Sequence, residues 1–290
     1  MSKTPVDNFS TLASIIHSKK GTNMQNYIHG YSETEAGRLE DQASILASYL
    51  HYDSYFPAGS TVLEAGCGTG AQTRIVAAAN PDVHFTSIDI DAHSIKRAAE
   101  EIGRLGLRNV SFQQADIFNL PFSPNSFDHI FCCFVLEHLP TPHMALQSLK
   151  KVLKHGGTLT VIEGDHGSFL SFPETAESRR TVQCLVELQA NAGGNALIGR
   201  ELSALLRKAG FEKIRVSPRQ IYADAGRPGV MEGFSKKTFI AMVEGVKDQA
   251  ILHGLISKSA WEKGIADLYK ATEEYGSFVY TFFKAIAGNS

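Results

Sequence analysis

Gly66, Gly68 and Gly70 stand at alternate positions between an apolar run, Thr61-Val62-Leu63, and a helix-forming run, Ala71 to Ala79. The apolar run reads as a short buried strand. Strand, glycine turn and helix together make a nucleotide-binding geometry: glycine lets bare backbone approach a ligand, and the helix start presents unpaired N–H groups. The spacing is G-x-G-x-G, not the G-x-G-x-x-G of dinucleotide sites. Glu64 stands just ahead of the first glycine, where a carboxylate repels a pyrophosphate. A ligand without phosphate and with positive charge suits that position. S-adenosylmethionine (SAM), with its ammonium and sulfonium, meets both conditions. A second acid supports it. His84 to Asp89 reads as the next strand, and an acid at its end can accept hydrogen bonds from both hydroxyls of an adenosine ribose. The glycine spacing and Glu64 count against a nicotinamide oxidoreductase.

The elements around these residues follow from local signals. Ser32 and Glu35 form a capping-box pattern. The helix behind it carries Leu39, Ala43, Leu46, Ala47 and Leu50 on one stripe. The helix after the glycines stops at Asn80-Pro81. Asp91 caps a helix running to about Leu105, with Gly106 just past its end. Asn109 to Gln114 reads as the third strand and His129 to Phe134 as the fourth, an unbroken apolar run suited to a strand buried on both faces. A helix from Pro142 to Lys154 precedes a fifth strand, Thr158 to Glu163. Thr175 to Ala192 and Ile198 to Ala209 read as helices, and Glu212 to Arg215 or somewhat beyond as the sixth strand.

Glu64-Ala65-Gly66-Cys67-Gly68-Thr69-Gly70 resembles motif I of the class I SAM-dependent methyltransferases. Ser87-Ile88-Asp89-Ile90-Asp91 resembles their second motif. Ala115-Asp116-Ile117 with Leu120-Pro121-Phe122, Phe127 to Leu139, and Leu149 to Leu159 with Gly156-Gly157 resemble later stretches of the same family. The likeness covers about Thr61 to Glu163. It implies SAM as cofactor, S-adenosylhomocysteine as product, and a Rossmann-like sheet of seven strands, the last antiparallel. In this setting Asp116 could accept from the adenine amino group while Ile90 and Ile117 sandwich the ring; the plain alternative for Asp116 is a turn-forming role. Phe134 would line the pocket near the methyl group. Tyr27 or Tyr31, upstream in Tyr-Ile-His-Gly-Tyr, would either close the pocket or pack on the core. The N-terminal arm, core and C-terminal cap together resemble fungal small-molecule methyltransferases of the gliotoxin bis-thiomethyltransferase type, a likeness that implies secondary metabolism and S-methylation of a dithiol. O- or N-methylation of another metabolite is the alternative, and a SAM-binding protein that transfers no methyl is another.

The domain layout expected is an N-terminal helical arm or lid over 1–56, a SAM-binding core over 57–225, a helical cap over 226–276, and the last strand and C-terminus over 277–290. The cap is expected because Ser277 to Phe283 is the best seventh strand, and the stretch before it is far too long for a hairpin. Its periodicity at Phe239, Ile240, Val243, Val246, Trp261, Ile265 and Leu268 is helical. Such a cap suits a small-molecule acceptor. Acceptor-side candidates are Glu163, Asp165 and His166, in a polar cluster at the carboxyl end of the fifth strand whose plain alternative is a solvated loop, and His138, which is either a base or structural.

Over 290 residues the formal net charge is -2, and no Lys/Arg block is present, so no nucleic-acid partner is expected. No apolar run is long enough to span a membrane, and the N-terminus lacks a signal-peptide pattern. Four cysteines without a C-x-x-C spacing argue for a reducing compartment, the cytoplasm, and for no metal. Cys132 and Cys133 read as inert core residues. Oligomeric state is open.

Overall fold

The computed structural model describes the chain from Glu33 onward, with side chains from Gln42. Helix α1 (Glu33–Leu50) leads into the sheet, and Ala43, Leu46 and Leu50 of its apolar stripe are buried. Strand β1 (Thr61–Ala65), helix α2 (Thr73–Ala79), strand β2 (His84–Asp89), helix α3 (Ala92–Arg104) and strand β3 (Val110–Gln114) follow in alternation. Asp91 caps α3 by accepting from the Ser94 N–H at 2.8 Å, and Gly106 beyond its end has φ +72°. Strand β4 (Phe127–Cys133), helix α4 (Pro142–Val152), strand β5 (Leu153–Phe172), helix α5 (Ala176–Asn191), helix α6 (Leu202–Lys208), strand β6 (Glu212–Ala223) and strand β7 (Ser277–Gly288) complete the core.

The sheet has seven strands in the order β3-β2-β1-β4-β5-β7-β6. β1 to β5 pair in parallel, and β7 runs antiparallel to both β5 and β6. This is the Rossmann-like sheet with an antiparallel last strand. Alternation along β4 sends Phe131 and Cys133 to one face and Ile130 and Cys132 to the other, where separate apolar clusters pack.

The fifth strand departs from expectation. It does not stop at Glu163, and Asp165 and His166 are not in a loop. β5 continues to Phe172 because β7 runs beside it: Gly164 pairs with Phe282, Asp165 with Thr281 and, beyond an irregularity, Leu170 with Val279. The pairing supplies backbone partners that no local signal announces. β6 and β7 also extend beyond the ends read from sequence, to Ala223 and Gly288.

Between β6 and β7 the chain is helical: α7 (Pro228–Val230), a wide π-type helix (Met231–Ile240), α8 (Ala241–Glu244), α9 (Lys247–Leu252) and α10 (Lys258–Lys270). Phe239, Ile240, Val243, Val246, Trp261 and Leu268 are buried, and they share one apolar cluster with Leu50, Val62, Phe131 and Phe282. The Phe234 ring meets Phe278, Tyr280 and Phe282 of β7 edge-on at 5.6–5.8 Å. This segment is therefore part of the main core. Deleting residues 226–276 is expected to unfold the chain, because it strips these rings of cover. Circular dichroism melting checks this; a cooperative melt of the truncated chain near the parent temperature would contradict it.

Candidate functional site

The parallel strands β1, β2, β3 and β4 end together at one edge of the sheet, the edge at which open α/β sheets take ligands. The glycine turn starts there. Gly66 and Cys67 both donate their N–H to the Ile88 carbonyl, at 2.8 and 2.9 Å, which ties the turn to β2. All three glycines have positive φ, +75° at Gly66, +51° at Gly68 and +86° at Gly70. Their surroundings differ. A Cβ at Gly66 would lie 2.4 Å from Val135 Cγ2, and one at Gly70 3.2 Å from Ala98 Cβ, but one at Gly68 would meet nothing within 4 Å. Gly66 and Gly70 thus serve close packing, whereas Gly68 borders open space. Beside it the Thr69 hydroxyl is buried without a hydrogen-bond partner. Bare backbone, open space and an unsatisfied hydroxyl fit a bound polar ligand.

Asp89 closes β2 beside this turn. Its Oδ2 accepts from the Gly68 N–H at 2.8 Å and its Oδ1 from the Asp91 N–H at 3.0 Å. Burial pushes its carboxyl above the usual range, against the pull of those two N–H groups. Each oxygen keeps a further lone pair for a ligand hydroxyl. Glu64 reaches the site as a buried charge, not an open contact: it is 3% exposed. Its Oε2 accepts from Thr73 Oγ1 at 2.8 Å and Ser87 Oγ at 2.6 Å. Burial pushes the carboxyl up to about 7; the two hydroxyls oppose this and Asp89 adds to it. A neighbouring cation would lower it again, so the group fits a cationic ligand.

On the β2–β3 side, Asp89 pairs with Gln114 in register, so Ile90 and Ala115–Ile117 leave the sheet as neighbours. Ile90 is exposed, and Ile117 packs partly against the apolar cluster beneath. Asp116 forms a turn: Oδ1 accepts from the Phe118 N–H at 2.9 Å and Oδ2 from Asn119 Nδ2 at 3.1 Å. The turn-forming reading of Asp116 is thus present, and it leaves the residue at the ligand edge.

At the end of β4, Phe134 has φ +58°, a conformation rare for a bulky side chain and found preferentially at functional turns. Its ring lies 5.4 Å from that of Phe282. A single 3-10 turn, Leu136–His138, follows. His138 sits there with Nε2 3.7 Å from Glu137 Oε1. The other acceptor-side candidates are engaged elsewhere. Glu163 is fully buried and bonds the Val135 and Leu136 N–H groups. Asp165 takes a two-pronged pair from Arg200, 2.7 Å at both oxygens. His166 Nδ1 lies 2.5 Å from the Tyr280 hydroxyl. The polar cluster is therefore a set of buried structural contacts, not a solvated loop.

Tyr27 and Tyr31 lie outside the described residues. Cys132 and Cys133 are buried, and burial pushes both thiols well up. Among the described residues no group of three or more His, Cys, Asp or Glu is placed to hold a metal, and no helix is long and apolar enough to cross a membrane. Sequence reading missed Ser87 and Thr73 as partners of Glu64. The signal for Ser87 existed, since two neighbouring parallel strands bring it opposite Glu64. It also missed Val135, Arg200 and Tyr280, which only long-range packing brings in.

Residues 57–210, just over half of the chain, match the methyltransferase domain family, and the protein belongs to that family. It is a SAM-dependent transferase. Among its relatives, 27-O-demethylrifamycin SV methyltransferase of Amycolatopsis mediterranei is 29% identical over 231 residues, 79% of either chain. A probable methyltransferase of Aspergillus luteorubrus is 30% identical over 209 residues, covering 64% of this chain and 69% of its own. In structure, a putative methyltransferase from Bacillus halodurans matches 85% of this chain and 98% of its own, with a TM-score of 0.52 and 17% identity.

Proposed function

We propose that SAM is held by the glycine turn Gly66–Gly70 with Glu64 and Asp89, that Ile90, Asp116 and Ile117 flank its adenine, and that Phe134 borders the transferring methyl. The open space at Gly68 beside the carboxylate of Asp89 carries this reading. In it, Asp89 binds the ribose hydroxyls, the Gly68 turn lets backbone approach, and Glu64 balances cationic charge. The cofactor supplies a methyl already activated by sulfonium. The chain's work is alignment and exclusion of water, and alignment alone can contribute on the order of 7–11 kcal/mol. The helical stretch 226–276 serves as a cap over the acceptor side.

The acceptor is a small molecule, and we read it as a dithiol natural product, methylated twice at sulfur. Among the described residues, Glu163, Asp165 and His166 are each committed to a structural partner. A thiol of pKa about 8.5 needs little base, being a few per cent thiolate at pH 7. O-methylation is the second reading, supported by the likeness to an enzyme named for a 27-O-demethyl substrate.

Incubation with SAM and sets of thiol, phenol, amine and alcohol acceptors, with reduced gliotoxin in the thiol set, separates these by mass spectrometry. Gain of two methyl groups on the dithiol is the expected result. Activity on a hydroxyl and none on any thiol would replace the first reading by the second, and SAM binding without transfer to any acceptor would favour a binding protein. For the cofactor site, Asp89→Ala is expected to weaken SAM binding more than tenfold in calorimetry, since it removes the ribose acceptor and frees the Gly68 N–H. Unchanged affinity would move the site elsewhere.

A further inference from the structure

We propose that Glu163 is a positioning residue: from behind the sheet edge it braces the turn Phe134–His138, and through that turn it sets the glycine loop. The proposal rests on the cofactor site placed at that loop. Glu163 is fully buried on β5, opposite Phe283 of β7. Its Oε1 accepts from two successive backbone groups, the Val135 N–H at 3.1 Å and the Leu136 N–H at 2.7 Å. These are first N–H groups of a helical turn, which lack partners within the turn itself. The side chain supplies what the backbone cannot.

The far end of the same turn is tied as well. The Glu137 carbonyl accepts from the Asn195 N–H at 2.8 Å and from Gln189 Nε2 at 3.3 Å. Phe134, with φ +58°, comes just before the first tie, and Val135, whose own N–H makes that tie, occupies the space that a side chain at Gly66 would need. A shift of Val135 is therefore a shift against Gly66. The path runs from Glu163 to the Val135 and Leu136 amides, and from Val135 by direct packing to the first glycine of the loop.

The geometry also separates this role from that of a base. Glu163 Oε2 is buried without a hydrogen-bond partner, and the other oxygen is occupied by two amides. Neither oxygen reaches the open side of the sheet edge. Burial, with Glu137 adding, pushes the carboxyl well above its usual range. Glutamine is its close isostere, able to offer the same accepting oxygen, whereas leucine leaves two buried N–H groups unpaired.

The test compares Glu163→Gln and Glu163→Leu in the full chain by calorimetric SAM titration and by amide hydrogen exchange of residues 134–138. Glu163→Gln is expected to keep SAM affinity within about threefold and exchange near the parent. Glu163→Leu is expected to speed exchange in that turn at least tenfold and to weaken SAM at least tenfold, with α3 exchange unchanged. If the leucine variant does not fold, Glu163→Asp, one methylene too short to reach, takes its place with the same expectation. A leucine or aspartate variant with parental exchange at 134–138 would overturn the brace. So would loss of methyl transfer in Glu163→Gln with SAM binding intact, which would make Glu163 a catalytic group. If the parent chain binds no SAM, the cofactor assignment fails, while the exchange readout still tests the brace.

Discussion

Gly66→Ala is expected to damage both the stability of the protein and its grip on the cofactor. The position has φ +75°, in the left-handed region, where an alanine costs about 1–2 kcal/mol. The new Cβ would also fall 2.4 Å from Val135 Cγ2, an overlap that the neighbouring chain must relieve. Overpacking of that kind costs about 1–3 kcal/mol, so the two together amount to about 2–5 kcal/mol of stability. Val135 cannot retreat freely, because its own N–H is bonded to Glu163. The strain therefore reaches the glycine loop, and SAM affinity is expected to fall more than a hundredfold. Gly68→Ala makes the contrast. It shares the positive φ, at +51°, but its Cβ meets no protein atom within 4 Å. Its stability loss should stay near the conformational cost alone, about 1–2 kcal/mol, yet its methyl enters the space assigned to the ligand. Urea unfolding and calorimetry on the two variants read these effects separately. Adding Val135→Ala to Gly66→Ala should recover part of the stability and none of the conformational cost. If Gly66→Ala binds SAM like the parent, or if Val135→Ala gives no rescue, the close approach of the two strand ends does not control the loop.

What made this site legible in the chain was its locality. The glycines, Glu64 before them and Asp89 at the end of the next strand all lie within two consecutive strand–turn–helix units. Each carries its own signal: positive φ demands glycine, and Asp91 and Gly106 cap a helix at its two ends. The length of β5 was not legible, because nothing between Glu163 and Gly167 favours a strand. Two glycines, an acid and a histidine read as loop, and only the neighbouring β7, more than a hundred residues away in sequence, makes them extended. The same distance hid the partners of Asp165 and His166, which lie on the turn before α6 and on β7. Helical periodicity between β6 and β7 was legible, but the wide helical turn Met231–Ile240 was not. It carries Gly233, whose missing side chain leaves room for Ile45 of α1. No local pattern specifies that contact.

Glu64→Gln is expected to separate the stability of the protein from its grip on the cofactor. The buried carboxyl of Glu64 rises from 4.5 to about 7 in the folded chain, chiefly because burial disfavours its charge. An acid whose folded pKa lies above its unfolded value holds its proton more tightly when folded. Its contribution to stability is fully present below pH 4.5, is lost as pH rises through that interval, and is gone above about 7. The interval corresponds to about 3 kcal/mol of stability lost from the ligand-free parent between pH 5 and pH 8. Glutamine keeps the shape, lets Thr73 and Ser87 reorient their hydroxyls, and has no proton to lose. The ligand-free variant should therefore gain on the parent as pH rises, and urea unfolding at pH 5 and pH 8 measures the gain. SAM should reverse the order. A cation beside Glu64 lowers its pKa, so binding at pH 7 releases up to about half a proton from the parent. Calorimetry in buffers of different ionisation enthalpy reads that release directly. The glutamine variant should release none through this residue and bind SAM at least tenfold more weakly. Equal affinity and equal proton release in both proteins would mean that Glu64 holds the loop together through Thr73 and Ser87 and does nothing for the charge of the cofactor.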